Sequence, residues 1–282
     1  MASLVSDLAV EEVLGAPGEQ RSRPTRRRIA WWRAVVLLLA AAYFLLPLYA
    51  GLRFALQDAN GNFSFSSVRA IAHQPGLGDA FWLSAELAAL TMVLTLALMV
   101  PTTIYVHLRL PKLRPVMELV TLLPIVFPPI VLIIGVLHAF PLWLRNWQYM
   151  LALLYVVLAM PFVYRSLDAG LSAIDVKTLV EATRSLGARG PTTLWRVLLP
   201  NLTSAMVSAV ILTLALVFGE YTMAALAQWS TFPVWLYDFF QTDGHVTVAV
   251  SMAALLATWV LLSSIVLLDL GRSRRQANRR RS

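Results

Sequence analysis

Glu86, Glu118 and Glu220 are carboxylates set inside long apolar runs. A charge at membrane depth is costly and usually faces protein or water, so these positions are the first candidates for chemistry or transport. Glu220 lies furthest inside its run, in Phe218-Gly219-Glu220-Tyr221-Thr222. Two readings of it stand side by side. It lines a path for a solute, together with Tyr221 and with Pro128 of an earlier run, or it hydrogen-bonds between helices and fixes their packing. Gly219 would let a neighbouring helix or a solute approach the backbone there. Glu86 and Glu118 read as structural. His73, His107, His138 and His245 are isolated, with no ligand partner at helical spacing, and read as loop or interface histidines. No glycine loop followed by Lys-Ser or Lys-Thr occurs, so the chain cannot hydrolyse ATP itself. Cysteine is absent, which removes disulfides and thiolate metal sites. No clustered His, Asp or Ser chemistry points to an enzyme.

The elements that must hold these residues are membrane helices. Of the 282 residues, 59% are hydrophobic and 13% charged, with a mean hydropathy of +0.70. Soluble domains carry about 25% charged residues. Six apolar runs of about the ~20 residues needed to cross a bilayer cover approximately 31–56, 79–107, 116–140, 147–167, 202–226 and 246–270. The expected fold is therefore all-α, an integral membrane bundle over about 29–271. Residues 1–28 are expected to be a disordered cytoplasmic tail, without the features of a cleavable signal. Residues 272–282 form a basic cytoplasmic tail. Pro47 is expected to kink the first run. Pro124, Pro128 and Pro129 break the third, which places it inside a bundle where other protein satisfies the freed backbone groups. The aromatic stretch from Trp229 to Tyr237 suits a membrane surface or a short re-entrant helix.

Charge sets the orientation. The net charge is +8, and 20 of the 23 Lys and Arg fall in the two tails, the turn after the second run and the segment Arg165–Arg196. Only Arg53, Arg69 and Arg145 fall on the other side. The positive-inside rule puts both termini and that segment in the cytoplasm. The basic balance thus reflects membrane topology, with no support for nucleic-acid binding.

The segment about 172–200 is the longest polar interruption in the second half. Residues 175–188 can form a helix, with Ser172 and Asp175 as a capping pair. Gly187 and Gly190 bracket its end. Pro191 suits the first turn of a following helix. Read from residues alone, an amphipathic loop lying on lipid headgroups fits.

Within it, Glu181-Ala182-Thr183, Gly187, Val197 and Leu199-Pro200 stand at fixed spacing. This register closely resembles the cytoplasmic signature loop of permease subunits of ATP-binding-cassette importers. Thr183 stands where that family has a second Ala, and Val197 where it has Ile. The lead-in from Met160 to Leu171, Leu199-Pro200-Asn201-Leu202 and the Phe218–Thr222 stretch are similar too, the last to permeases for polyamines, ferric iron or phosphonates. The resemblance implies a type I importer fold of six helices in a prokaryotic cell membrane. It implies a second permease, identical or sister, two cytoplasmic ATP-binding subunits that use ATP and Mg, an extracytoplasmic solute-binding protein, and no cofactor on this chain. The helix around Glu181–Gly187 would dock on the ATPase. Glu181 would hold the loop or pair with a basic ATPase residue, Ala182 would allow close approach, and Gly187 would permit the turn. A carboxylate at Glu220 would suit a cation, so a polyamine-like solute is expected. The rival is an ion-gradient-driven secondary transporter, disfavoured by the lack of internal repeats and paired ionisable relays.

Overall fold

The computed structural model describes residues 31–57 and 61–279; the expected tail 1–28 lies outside them. Among the described residues the chain is all-α, with one isolated bridge between Gln57 and Phe63. Contacts divide it into Met1–Tyr49 and Ala50–Ser282. The helix α1 (Trp31–Ala55) is continuous through Pro47. Its apolar side chains, such as Leu38, Phe44 and Leu46, are exposed.

The unit from Ala50 onward is built on α2 (Leu77–Arg109) and α5 (Met150–Ser172), each long and apolar enough to cross a membrane. Between them lie α3 (Arg114–Val126) and α4 (Pro129–Ala139). The third run was expected as one helix over 116–140. It is instead two helices bent by 85°. Phe127 and Pro128 are extended between them, with ψ 123° and 139°. Neither Pro128 nor Pro129 carries an N–H, so the helical ladder cannot continue across them.

The fifth run also breaks. α7 (Thr203–Gly219) is preceded by a helical arm over Gly190–Asn201 at 74° to it, and it stops at Gly219. Glu220 is extended, and a short helix follows over Thr222–Leu226. The aromatic stretch folds as α8 (Phe232–Phe240), the helical alternative; Pro233 occupies its first turn and the Phe232 N–H donates to Ser84 Oγ at 2.8 Å. α9 (Gly244–Arg279) continues past residue 270.

Among the described residues three cores result from this packing, one of them around Phe232, Trp235 and Val246. Another surrounds Tyr155 and includes Leu87, Ile133, Met150, Val217 and Met223. The third joins α2 and α5 to the polar segment, through Met99, Val163, Leu167, Val180, Leu198 and Leu202. At the α5–α7 crossing, a Cβ on Gly170 would stand 2.6 Å from the Ala205 Cβ, so only glycine permits that approach. Gly219 behaves differently. Nothing lies within 4 Å of where its Cβ would be, so among the described residues no helix makes the approach that was one of the two expected there.

Candidate functional site

The helix α6 (Val176–Ser185) carries the signature residues. Asp175 is its N-cap. It accepts the Thr178 hydroxyl at 2.7 Å and the Thr178 N–H at 3.2 Å. These bonds favour the ionised form and hold the Asp175 carboxyl below the usual carboxylate range. The expected Ser172–Asp175 pair does not form. Ser172 Oγ is instead taken by Arg114 at 2.9 Å.

At the other end Gly187 has φ +80°, the left-handed conformation that glycine adopts without penalty. The Gly187 N–H donates to the Arg184 carbonyl and the Ala188 N–H to the Thr183 carbonyl. This is the paired closure of a Schellman C-cap. Pro191 sits in the first turn of Gly190–Thr193, where no N–H is needed. Thr183 Oγ1 donates to the Val180 carbonyl and lies 3.1 Å from Thr193 Oγ1, so it ties α6 to the returning arm. The hydroxyl that departs from the family's Ala therefore has a partner in this chain.

The two faces of α6 differ. Val176 and Val180 are buried in the core shared with α2 and α5. Glu181, Ala182 and Ser185 are exposed, Leu186 is 87% exposed, and Trp195 on the returning arm is 70% exposed. Two large apolar side chains standing so far into solvent mark an interaction surface. Glu181 makes no hydrogen bond or ion pair among the described residues, so of its two expected roles it does not hold the loop's geometry; Asp175, Gly187 and Thr183 do. Leu199 is half-buried and Pro200 exposed at the far end of the arm. The Pro200 carbonyl accepts the Thr203 hydroxyl at 2.8 Å where the chain turns into α7. The arm thus carries the loop directly into a helix of the bundle.

Glu220 is buried, at 9% exposure. Its Oε1 accepts the Met223 N–H at 2.9 Å, and its Oε2 accepts the Ala224 N–H at 3.4 Å and the Tyr155 hydroxyl at 3.2 Å. The carboxylate caps the short helix after the break and binds α5. Glu220 and Tyr221 do border one cavity of about 400 Å³, with Phe127, Pro129 and Gly219. Pro128 is not among its walls; it makes the bend that brings Phe127 and Pro129 there.

Several partners carry no local sequence signal. Tyr155 is 65 residues from Glu220. Asp168 accepts Arg114 Nη2 at 2.8 Å, which joins the start of α3 to α5. The readings of Glu86 and Glu118 as structural agree with their bonds: Glu86 accepts the Tyr149 hydroxyl at 2.8 Å and Glu118 pairs with Arg165 at 2.9 Å. His107 was read as isolated, yet its Nδ1 lies 3.5 Å from Asp168. Both are helix ends brought together by the fold.

A bundle of broken and whole apolar helices, with a signature loop folded back on its core, defines an integral membrane protein of the transport class. Residues 99–275 match the family described as binding-protein-dependent transport system inner membrane component, and the chain belongs to that family. Similar proteins include the sulfate transport system permease protein CysW of Synechococcus elongatus, 30% identical over 44% of this chain and 46% of the relative. Another is the molybdenum transport system permease protein ModB of Mycobacterium tuberculosis, 29% identical over 72% of this chain and 81% of the relative. The chain spans about half the length of the sulfate permeases it matches, 46% and 50%. The family resemblance of the 179–201 stretch is borne out. A family of binding-protein-dependent systems disfavours an ion-gradient-driven carrier.

Proposed function

We propose that this chain is the permease subunit of an importer driven by separate ATP-binding subunits, and that its solute is a small tetrahedral oxyanion such as sulfate or molybdate. The observation that carries the first part is the division of α6. Its inner face is fixed in the bundle core while Glu181, Ala182 and Leu186 face outward, so a force applied to the outer face reaches α2 and α5. ATP-driven closure of the docked subunits would bias the bundle between two packed arrangements. A second permease completes the path, and a solute-binding protein delivers the oxyanion.

The polyamine expectation is corrected. It rested on a free carboxylate at Glu220, and that carboxylate is occupied by two backbone N–H groups and the Tyr155 hydroxyl. The named relatives are sulfate and molybdenum permeases. The test is reconstitution of the purified complex with its binding protein, followed by uptake of labelled sulfate, molybdate and spermidine. Saturable ATP-dependent uptake of an oxyanion supports the reading. Uptake of spermidine with neither oxyanion transported contradicts it.

A further inference from the structure

A groove of about 230 Å³ lies between the cytoplasmic end of α2, α6 and the returning arm. Pro101, Tyr105, Leu108, Leu194 and Leu198 form apolar walls. Arg109 and Arg184, from two different elements, stand beside it. Both are exposed, and among the described residues neither guanidinium has a hydrogen-bond or ion-pair partner. Arg114 and Arg165, by contrast, are engaged, with Asp168 and Glu118.

We propose that this groove holds an anionic phospholipid of the cytoplasmic leaflet, its phosphate between Arg109 and Arg184 and an acyl chain along Pro101, Tyr105 and Leu108. The profile along α2 favours a lipid. Pro101 and Arg109 are eight residues apart, about 12 Å at 1.5 Å per residue, so the groove runs from inside the apolar span to the headgroup level. A soluble partner meets the outer end of such a groove and cannot follow it to membrane depth. An amphiphile matches both ends, with paired charge where anionic headgroups lie and apolar walls below. Because Arg184 is on α6, the bound headgroup tethers the signature loop to the membrane surface. The site requires only that α2 spans the bilayer, not that the chain is an importer subunit.

The test uses the full chain, with whatever subunits accompany it, in vesicles of phosphatidylcholine and phosphatidylglycerol in equal parts. After extraction in mild detergent, lipid retained on the protein is measured by mass spectrometry. Wild-type protein is expected to retain phosphatidylglycerol in preference to phosphatidylcholine. The double variant Arg109→Gln, Arg184→Gln is expected to lose that preference by roughly thirtyfold, the scale set by two interfacial cations. Arg69→Gln serves as a control that keeps it. A second variant, Gly190→Leu, leaves every charge in place and fills the groove, since nothing lies within 4 Å of a Cβ there. It is expected to lose the retained lipid as well. Equal retention of both lipids by wild type, unchanged preference in both variants, or displacement of the lipid by inorganic phosphate would overturn the proposal. The last result would assign the arginines to a free anion.

Discussion

The Tyr155 hydroxyl donates to the Glu220 carboxylate across 3.2 Å, linking the second turn of α5 to the point where the fifth apolar run breaks. The same carboxylate accepts the N–H groups of Met223 and Ala224. One side chain therefore ends α7, starts the next helix and binds both to the most buried aromatic ring of the bundle, Tyr155, with no exposed surface. Glu220 is hydrogen-bonded between helices and also borders a cavity.

Removing either partner should show in stability before selectivity. Tyr155→Phe is expected to cost about 1 kcal/mol, the worth of one buried hydrogen bond. Glu220→Gln is expected to cost about 1–3 kcal/mol, because backbone donors lose a charged acceptor. The double variant should be less destabilised than the sum, since the two share one bond. Thermal unfolding in detergent reads all three. Solute preference should not change; a switch in preference with stability intact would return Glu220 to the path.

Two glycines should respond to alanine in different ways. Gly170→Ala drives a methyl against Ala205 at 2.6 Å and is expected to cost about 1–3 kcal/mol by overpacking. Gly219→Ala meets open space and should leave the melting temperature within error. Equal effects would mean that the α5–α7 crossing is looser than described here.

Gly187→Ala tests the loop. Nothing crowds the position, so the penalty is conformational, about 1 kcal/mol for a left-handed φ. The bundle should insert and melt nearly as before. ATP hydrolysis by the reconstituted complex should persist while uptake per ATP falls. Full coupling in Gly187→Ala, and in Glu181→Lys, would remove the role assigned to this loop.

Asp175 predicts a pH dependence. Its carboxyl is held below the ordinary range by Thr178, so the cap's contribution is complete above the ordinary carboxylate pKa of about 3.9 and is lost as pH falls through the lower folded value. Amide exchange of Val176–Ser185 should accelerate at acid pH in the wild type. Asp175→Asn should flatten that pH dependence, as an amide still caps but does not titrate. An unchanged acid response in Asp175→Asn would assign it to another group.

The loop was legible because its signals are local. Gly187, Pro191 and the residues of the signature stand within a few turns of one another, and turn chemistry follows from such spacing. Among the described residues, three of the apolar runs fold as helices long enough to cross a membrane, and the third and fifth as bent pairs. What escaped was long-range. Ser172 looked like a capping residue, but Arg114, 58 residues away, claims its hydroxyl. The prolines marked a break in the third run, but hydropathy could not show how sharply the chain bends there, so 116–140 was read as one span. The carboxylate of Glu220 invited a cationic solute because its partner Tyr155 lies on another helix.

The central claim is that the outer face of α6 receives an ATP-binding subunit. A photo-crosslinking amino acid placed at Leu186 or at Glu181 in native membranes tests it most directly, with Arg69, expected from the charge pattern on the other side, as control. The account predicts a crosslinked ATPase from both loop positions, none from Arg69, and a change in yield when ATP is trapped. No ATPase adduct from either position, in membranes where the chain still supports uptake, would contradict it.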